Sequence, residues 1–242
     1  MDPGFRRDNG DSAGILASMQ EEPAPITVWD LPTRVFHWAL VVLILLQYLT
    51  GEFGLLSMDW HFYIGYATLA LIVFRVLWGF VGSTTSRFSH FVSGPVAVWR
   101  YTIALLQGRA HGAIGHNPLG GWSVLVMIGS VALQAVTGLF STDDLDTTGP
   151  LAARVSDAAV KWMTRIHHWN RYFLLLLIVL HRGAVLAHWI WRRDNLVAPM
   201  LHGKKRIEAA APMRAASIGI ALVLLAASGL AVWALVAWGE AA

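Results

Sequence analysis

Cysteine is absent from the 242-residue chain, and charged residues make up only 14% of it. Without cysteine there can be no thioether-linked haem, no cysteine-ligated iron–sulfur cluster and no disulfide. The scarcity of charge, with 56% hydrophobic residues and a mean hydropathy of +0.53, excludes an ordinary soluble domain and indicates a membrane protein. Acidic groups are almost missing from the apolar runs, where Glu52 is the only clear case. No glycine-rich dinucleotide fingerprint is present, and the length leaves no room for a flavin or nicotinamide domain. The net charge of +3 does not signal nucleic acid, because its origin lies in how Lys and Arg are distributed about a membrane.

What the chain has is five apolar runs, at about 34–56, 61–81, 121–140, 167–190 and 214–238. Each is long enough to cross ~30 Å of hydrocarbon as a helix. Twelve Lys and Arg fall on one side: Arg6, Arg7 and Arg34, then Arg87, Arg100 and Arg109, then Arg192, Arg193, Lys204, Lys205, Arg206 and Arg214. Four fall on the other: Arg154, Lys161, Arg165 and Arg171. The positive-inside rule then predicts a cytoplasmic N-terminus and a periplasmic C-terminus. Tryptophans fit an aromatic belt, with Trp38, Trp78, Trp122, Trp189 and Trp191 near the inner ends and Trp60, Trp162, Trp169 and Trp238 near the outer ones.

The expected fold is an all-α integral membrane bundle: a four-helix core over 28–206, followed by a linker and fifth helix over 207–242. Residues 1–27 read as a flexible cytoplasmic extension. They lack the apolar core of a signal peptide, carry Asp2, Asp8, Asp11, Glu21 and Glu22, and leave Met19 as an alternative translation start. Ser93-Gly94-Pro95 predicts the start of an interfacial helix that Gly108 stops. A second helical run is expected at 151–165, after an acidic cluster of Asp143, Asp144 and Asp146. No internal repeat is evident.

Four histidines in the apolar runs carry the chemistry: His37, His61, His167 and His181. An imidazole at membrane depth is costly and marks a site. His181 follows Leu174-Leu175-Leu176-Leu177-Ile178-Val179-Leu180, where it has no cheap bland explanation. Fourteen residues separate it from His167, a rise of about 21 Å that returns to nearly the same helix face. His168 would fall on the wrong face. Depth pairs His37 with His181 and His61 with His167, which suits two haems stacked across a bilayer. Taken singly, the histidines at span ends could be plain interfacial residues. His188 reads as interfacial, and His90, His111, His116 and His202 fall in connections. Arg34, Arg75 and Arg182 are candidate partners for haem propionates, against simple snorkelling to headgroups. Gly65, Gly138 and Gly183 could admit a macrocycle or a neighbouring helix.

At these residues the chain resembles the bacterial cytochrome b561 group, in the branch near the cytochrome b subunit of nickel–iron hydrogenases. The matching stretches are Val28-Trp29-Asp30, Thr33-Arg34-Val35-Phe36-His37-Trp38, His61 with Gly65-Tyr66, and Phe74-Arg75-Val76-Leu77-Trp78-Gly79. Further along come Gly115-His116-Asn117-Pro118-Leu119-Gly120, Thr137-Gly138-Leu139-Phe140, Gly149-Pro150-Leu151, His167 with His181, and Arg193-Asp194-Asn195-Leu196-Val197. The resemblance implies a di-haem b carrier in the bacterial inner membrane, with His37, His61, His167 and His181 as the iron ligands. It further implies exchange of electrons between the quinone pool and a periplasmic partner, a c-type cytochrome or a hydrogenase-like subunit. The acidic cluster could steer a basic cytochrome. Competing readings are a superoxide- or ferric-reductase-type oxidoreductase and a haem-free metal transporter. The transporter would need intramembrane carboxylates that the spans lack.

Overall fold

The computed structural model describes residues 25–110, 115–143, 147–206 and 213–241. Met19, His111, Asp144 and Asp146 therefore lie outside the described residues. Five helices are long and apolar enough to span a bilayer: α1 (Leu31–Gly51), α2 (Met58–Val81), α5 (Pro118–Gly138), α6 (Asp157–Arg192) and α8 (Ile218–Glu240). Between α2 and α5 lie the short α3 (Phe88–Phe91) and the expected interfacial helix α4 (Pro95–Leu106). After α6 comes α7 (Val197–His202). The protein is an all-α integral membrane bundle.

Local chemistry fixes the helix starts. Asp30 caps α1 by accepting from the Thr33 amide at 2.8 Å, and Pro32 stands in the first turn, where its missing N–H costs nothing. Asn117 caps α5 through the Gly120 amide at 2.7 Å, again just before a proline. Ser156 caps α6 and Ser217 caps α8.

Helix α2 is the centre of the bundle, packed by α1, α5 and α8. Phe36, Leu71, Ile72, Phe74, Trp78, Val131, Leu174 and Ala221 form one buried cluster; Leu69, Leu139, Leu151, Val232 and Val236 form another. The fifth helix thus packs on this bundle through small and β-branched residues, as lipid-embedded helices require when no hydrophobic drive separates helix from tail. Exposed Leu, Val, Phe and Trp cover the outside and face lipid. The pairs α1–α2 and α5–α6 pack tightly within themselves, whereas α1 and α6 make no extensive contact. His37 and His181 lie across that gap.

A two-stranded antiparallel ribbon, β1 (Pro25–Thr27) with β2 (Lys204–Arg206), ties the start of the four-helix unit to its end. Gly203 turns the chain into it at φ +83°, and its carbonyl accepts from the Val28 and Trp29 amides at 2.7 and 3.1 Å. A Cβ there would stand 2.8 Å from the Trp29 carbonyl oxygen, so only glycine fits.

Four sequence expectations change. The first span stops at Gly51, because Gly51-Glu52-Phe53-Gly54 breaks the helix, and Glu52 is its C-cap rather than a buried acid. The separate helical run at 151–165 does not exist as such. Only a 3-10 turn at Ala152–Arg154 precedes α6, which starts at Asp157 and continues unbroken for 36 residues. Trp78 is not a belt residue: it is 0% exposed, and its indole donates to the Asp30 carboxylate at 3.2 Å. Asp30 also accepts from Ser86 at 3.1 Å, so Val28-Trp29-Asp30 anchors a buried polar knot at the end of the bundle where α1 begins. The fourth change, a repeat within the chain, emerges from the site itself.

Candidate haem-binding site

The structure brings His37 of α1 to His181 of α6, with ring centres 6.5 Å apart. It brings His61 of α2 to His167 of α6, with ring centres 6.4 Å apart. A metal–imidazole bond of about 2 Å on each side, plus half a ring width each, puts two such centres roughly 6 Å apart. Both gaps therefore have the width of a bis-imidazole iron. Among the described residues no three His, Cys, Asp or Glu side chains converge to hold a metal ion, so each pair offers two imidazoles alone, the number an iron already held in a macrocycle takes.

The outer pair is oriented by a matching set of contacts. His61 Nδ1 lies 3.0 Å from Thr50 Oγ1. The Thr50 hydroxyl hydrogen is engaged with the Leu46 carbonyl at 2.9 Å, so its oxygen accepts from the imidazole. His167 Nδ1 donates to the Gln134 carbonyl at 2.9 Å and lies 3.3 Å from Thr137 Oγ1. Thr137 in turn donates to the Leu133 carbonyl at 2.6 Å. With Nδ1 protonated in both rings, Nε2 is left with its lone pair for a metal. The neighbouring glycines allow this approach. A Cβ on Gly51 would stand 2.7 Å from the His61 ring, and one on Gly138 would stand 3.0 Å from the His167 ring.

These contacts expose the repeat that was not evident in the sequence. Leu46-Gln47-Tyr48-Leu49-Thr50-Gly51 ends α1, and Leu133-Gln134-Ala135-Val136-Thr137-Gly138 ends α5. In each case Leu-Gln-x-x-Thr-Gly at one helix end cradles a histidine from the next long helix. The recurring string was the available signal. At only six residues it stands out only once its two copies are seen in equivalent places.

The other candidates sort as follows. Arg75 is 3% exposed and ringed by Phe36, Phe88 and Phe91 at 5.9, 5.3 and 5.9 Å, with Nη1 buried and unpartnered. Arg34 turns toward α7, donating to the Leu201 carbonyl at 2.5 Å, while its Nε is buried without a partner. Arg182 is exposed on α6 and makes no contact that ties it to the pair. A Cβ on Gly65 would meet the end of the Gln47 side chain of α1 at 3.2 Å, and one on Gly183 would meet nothing within 4 Å. His168 and His90 are exposed; His188 bonds to the Ala184 carbonyl of its own helix, and His202 to the Lys204 amide. His116, which the sequence placed in a connection, is wedged between Trp29 and Phe91 at 4.8 Å from each. Burial above all, then the charges of Arg75, His181 and His37, push its imidazole down to about 3, so it is neutral at physiological pH.

Two levels of facing imidazoles in a cysteine-free helical membrane bundle fit a membrane cytochrome of the b type, in which haem is held without covalent links. The model of prokaryotic cytochrome b561 matches residues 28–203, and the chain belongs to that family. It is 24% identical over 223 residues to the probable Ni/Fe-hydrogenase B-type cytochrome subunit of Rhizobium leguminosarum bv. viciae, covering 76% of this chain and 90% of the relative. It is 23% identical over 227 residues to the like-named protein of Cupriavidus necator, covering 80% and 92%. The probable Ni/Fe-hydrogenase 1 B-type cytochrome subunit of Escherichia coli K12 is 25% identical over 212 residues, covering 73% and 88%.

Proposed function

We propose that the chain is the di-haem electron carrier of a bacterial inner-membrane oxidoreductase, joining the quinone pool to a periplasmic partner. Two haems b when bound would supply one-electron redox chemistry at two depths. His37 with His181 would hold the inner one, and His61 with His167 the outer. The observation that carries this reading is the pair of imidazole gaps, 6.5 and 6.4 Å, set about 20 Å apart along α6 by fourteen residues of helical rise.

The protein's own residues orient and insulate. Thr50 and the Gln134 carbonyl fix the tautomers of the outer ligands. Arg75 offers buried positive charge over the ring of Phe36, the neighbour of His37 in sequence, as a partner for a propionate, with Arg34 and Arg182 as further cationic candidates. The relatives named as hydrogenase cytochrome subunits support a hydrogenase-like partner over a c-type cytochrome. The excess of Lys and Arg on one side supports a cytoplasmic N-terminus and a periplasmic C-terminus.

A pyridine haemochrome titre with reduced-minus-oxidised spectra on purified protein tests this. Two low-spin haems b per chain are expected, and His61→Ala and His181→Ala should each remove one. A wild-type protein without a Soret band would end the proposal and return the histidines to another role.

A further inference from the structure

Two buried polar groups, Arg75 and His116, have unpartnered nitrogens among the described residues. Arg75 makes no hydrogen bond or ion pair among the described residues, although its guanidinium is almost wholly enclosed. The carboxylate closest to hand, Asp30, is spent on the Thr33 amide, the Trp78 indole and the Ser86 hydroxyl. His116 is held edge-on to Trp29 and tilted over Phe91, with Nδ1 buried and unpartnered. Phe91 is common to both groups, since the Arg75 guanidinium also lies over it. His116 is within electrostatic reach of Arg75, His37 and His181 together. An enclosed cation within electrostatic reach of a buried imidazole, both with unpartnered nitrogens and the imidazole also within reach of His37 and His181, is a costly arrangement unless an anion completes it.

We propose that Arg75 and His116 form a two-armed clamp for a carboxylate, the propionate of the haem held by His37 and His181. This rests on the di-haem reading and adds His116 to it. Arg75 supplies the charge and a planar donor set. The imidazole supplies a neutral N–H donor whose direction is set by the two aromatic rings. The clamp acts on the haem through its side chain and not through the iron, so His116 is a positioning residue.

The test is a spectroelectrochemical titration of the purified full-length protein, with haem content measured in parallel. His116→Phe keeps the packing and removes the donor; His116→Gln keeps a donor. Exposed His90→Gln serves as control. His116→Phe should leave two haems and lower the midpoint of one, because its propionate charge is then less well compensated. The expected change is at least tenfold in the reduced-to-oxidised ratio at fixed potential, about 59 mV for one electron. His116→Gln should restore most of it, and Arg75→Lys should fall between wild type and Arg75→Leu. Apoprotein reconstituted with haem dimethyl ester should show no difference between wild type and His116→Phe. Unchanged midpoints in His116→Phe and Arg75→Leu would overturn the clamp while leaving the di-haem reading intact. A shift that persists with the dimethyl ester would also overturn it, placing a lipid or free phosphate in the enclosure instead. A wild type without haem would fail at the underlying reading.

Discussion

At the residue scale, the site is set by small groups as much as by ligands. Glycine sits where the His61 ring needs room, and Gly51→Ala would press a methyl to 2.7 Å from that ring. Gly65→Ala meets only the end of the flexible Gln47 side chain, at 3.2 Å. Gly51→Ala should therefore drop haem content from two toward one per chain while Gly65→Ala stays near two, as read by haemochrome assay. Equal loss in both would mean that helix packing, not ligand placement, is what these glycines serve. His181 was legible in the sequence because seven aliphatic residues precede it. Thr50, Thr137 and Gly51 were not, since Thr and Gly are common in membrane helices for packing alone. His116 was visible as part of a motif, but its enclosure depends on Trp29 and Phe91, which are remote from it in sequence.

At the element scale, the long apolar helices were readable because hydrocarbon thickness dictates their length. Their ends were less so. Hydropathy misses the first ten residues of α6, which are polar enough to read as a separate segment; yet no proline or glycine interrupts Asp157 to His167. Trp78 misled for a related reason. An indole near a span end looks the same in sequence whether it meets headgroups or a buried aspartate. Polar contacts inside the lipid-facing bundle bind α5 to α6: Asn170 donates to the Ser130 carbonyl at 2.9 Å and to the Gln134 side chain at 2.8 Å. Gln134 is also the residue whose carbonyl orients His167. Asn170→Leu should cost about 0.6–2 kcal/mol, measured by detergent-induced unfolding, and should loosen the outer haem more than the inner. A neutral result on both would assign the cohesion of this pair to packing alone.

At the scale of the whole molecule, the charge asymmetry predicts the orientation in the membrane, and the β1–β2 ribbon closes the first four spanning helices at one face. Between the levels of His167 and His181 on α6, Arg171 pairs with Glu52 at 2.5 Å and the Tyr48 hydroxyl donates to the Arg171 carbonyl at 2.6 Å, so the end of α1 is tied to α6 there. Alkaline phosphatase fused after Ala242 should be active, and the same reporter inserted after Gln107 should be inactive. The reverse pattern would invert the inner and outer assignments without touching the histidine pairs.

His167 and His181 stand on one uninterrupted helix, with neither glycine nor proline between them. An axial slip of α6 would displace both imidazoles by the same amount and in the same sense. Opening one gap alone would need a bend in backbone that holds every one of its hydrogen bonds in a medium offering no replacement. The spacing of the two histidines is in that sense a ruler built into the main chain, and two haems held by them would keep a constant separation along α6.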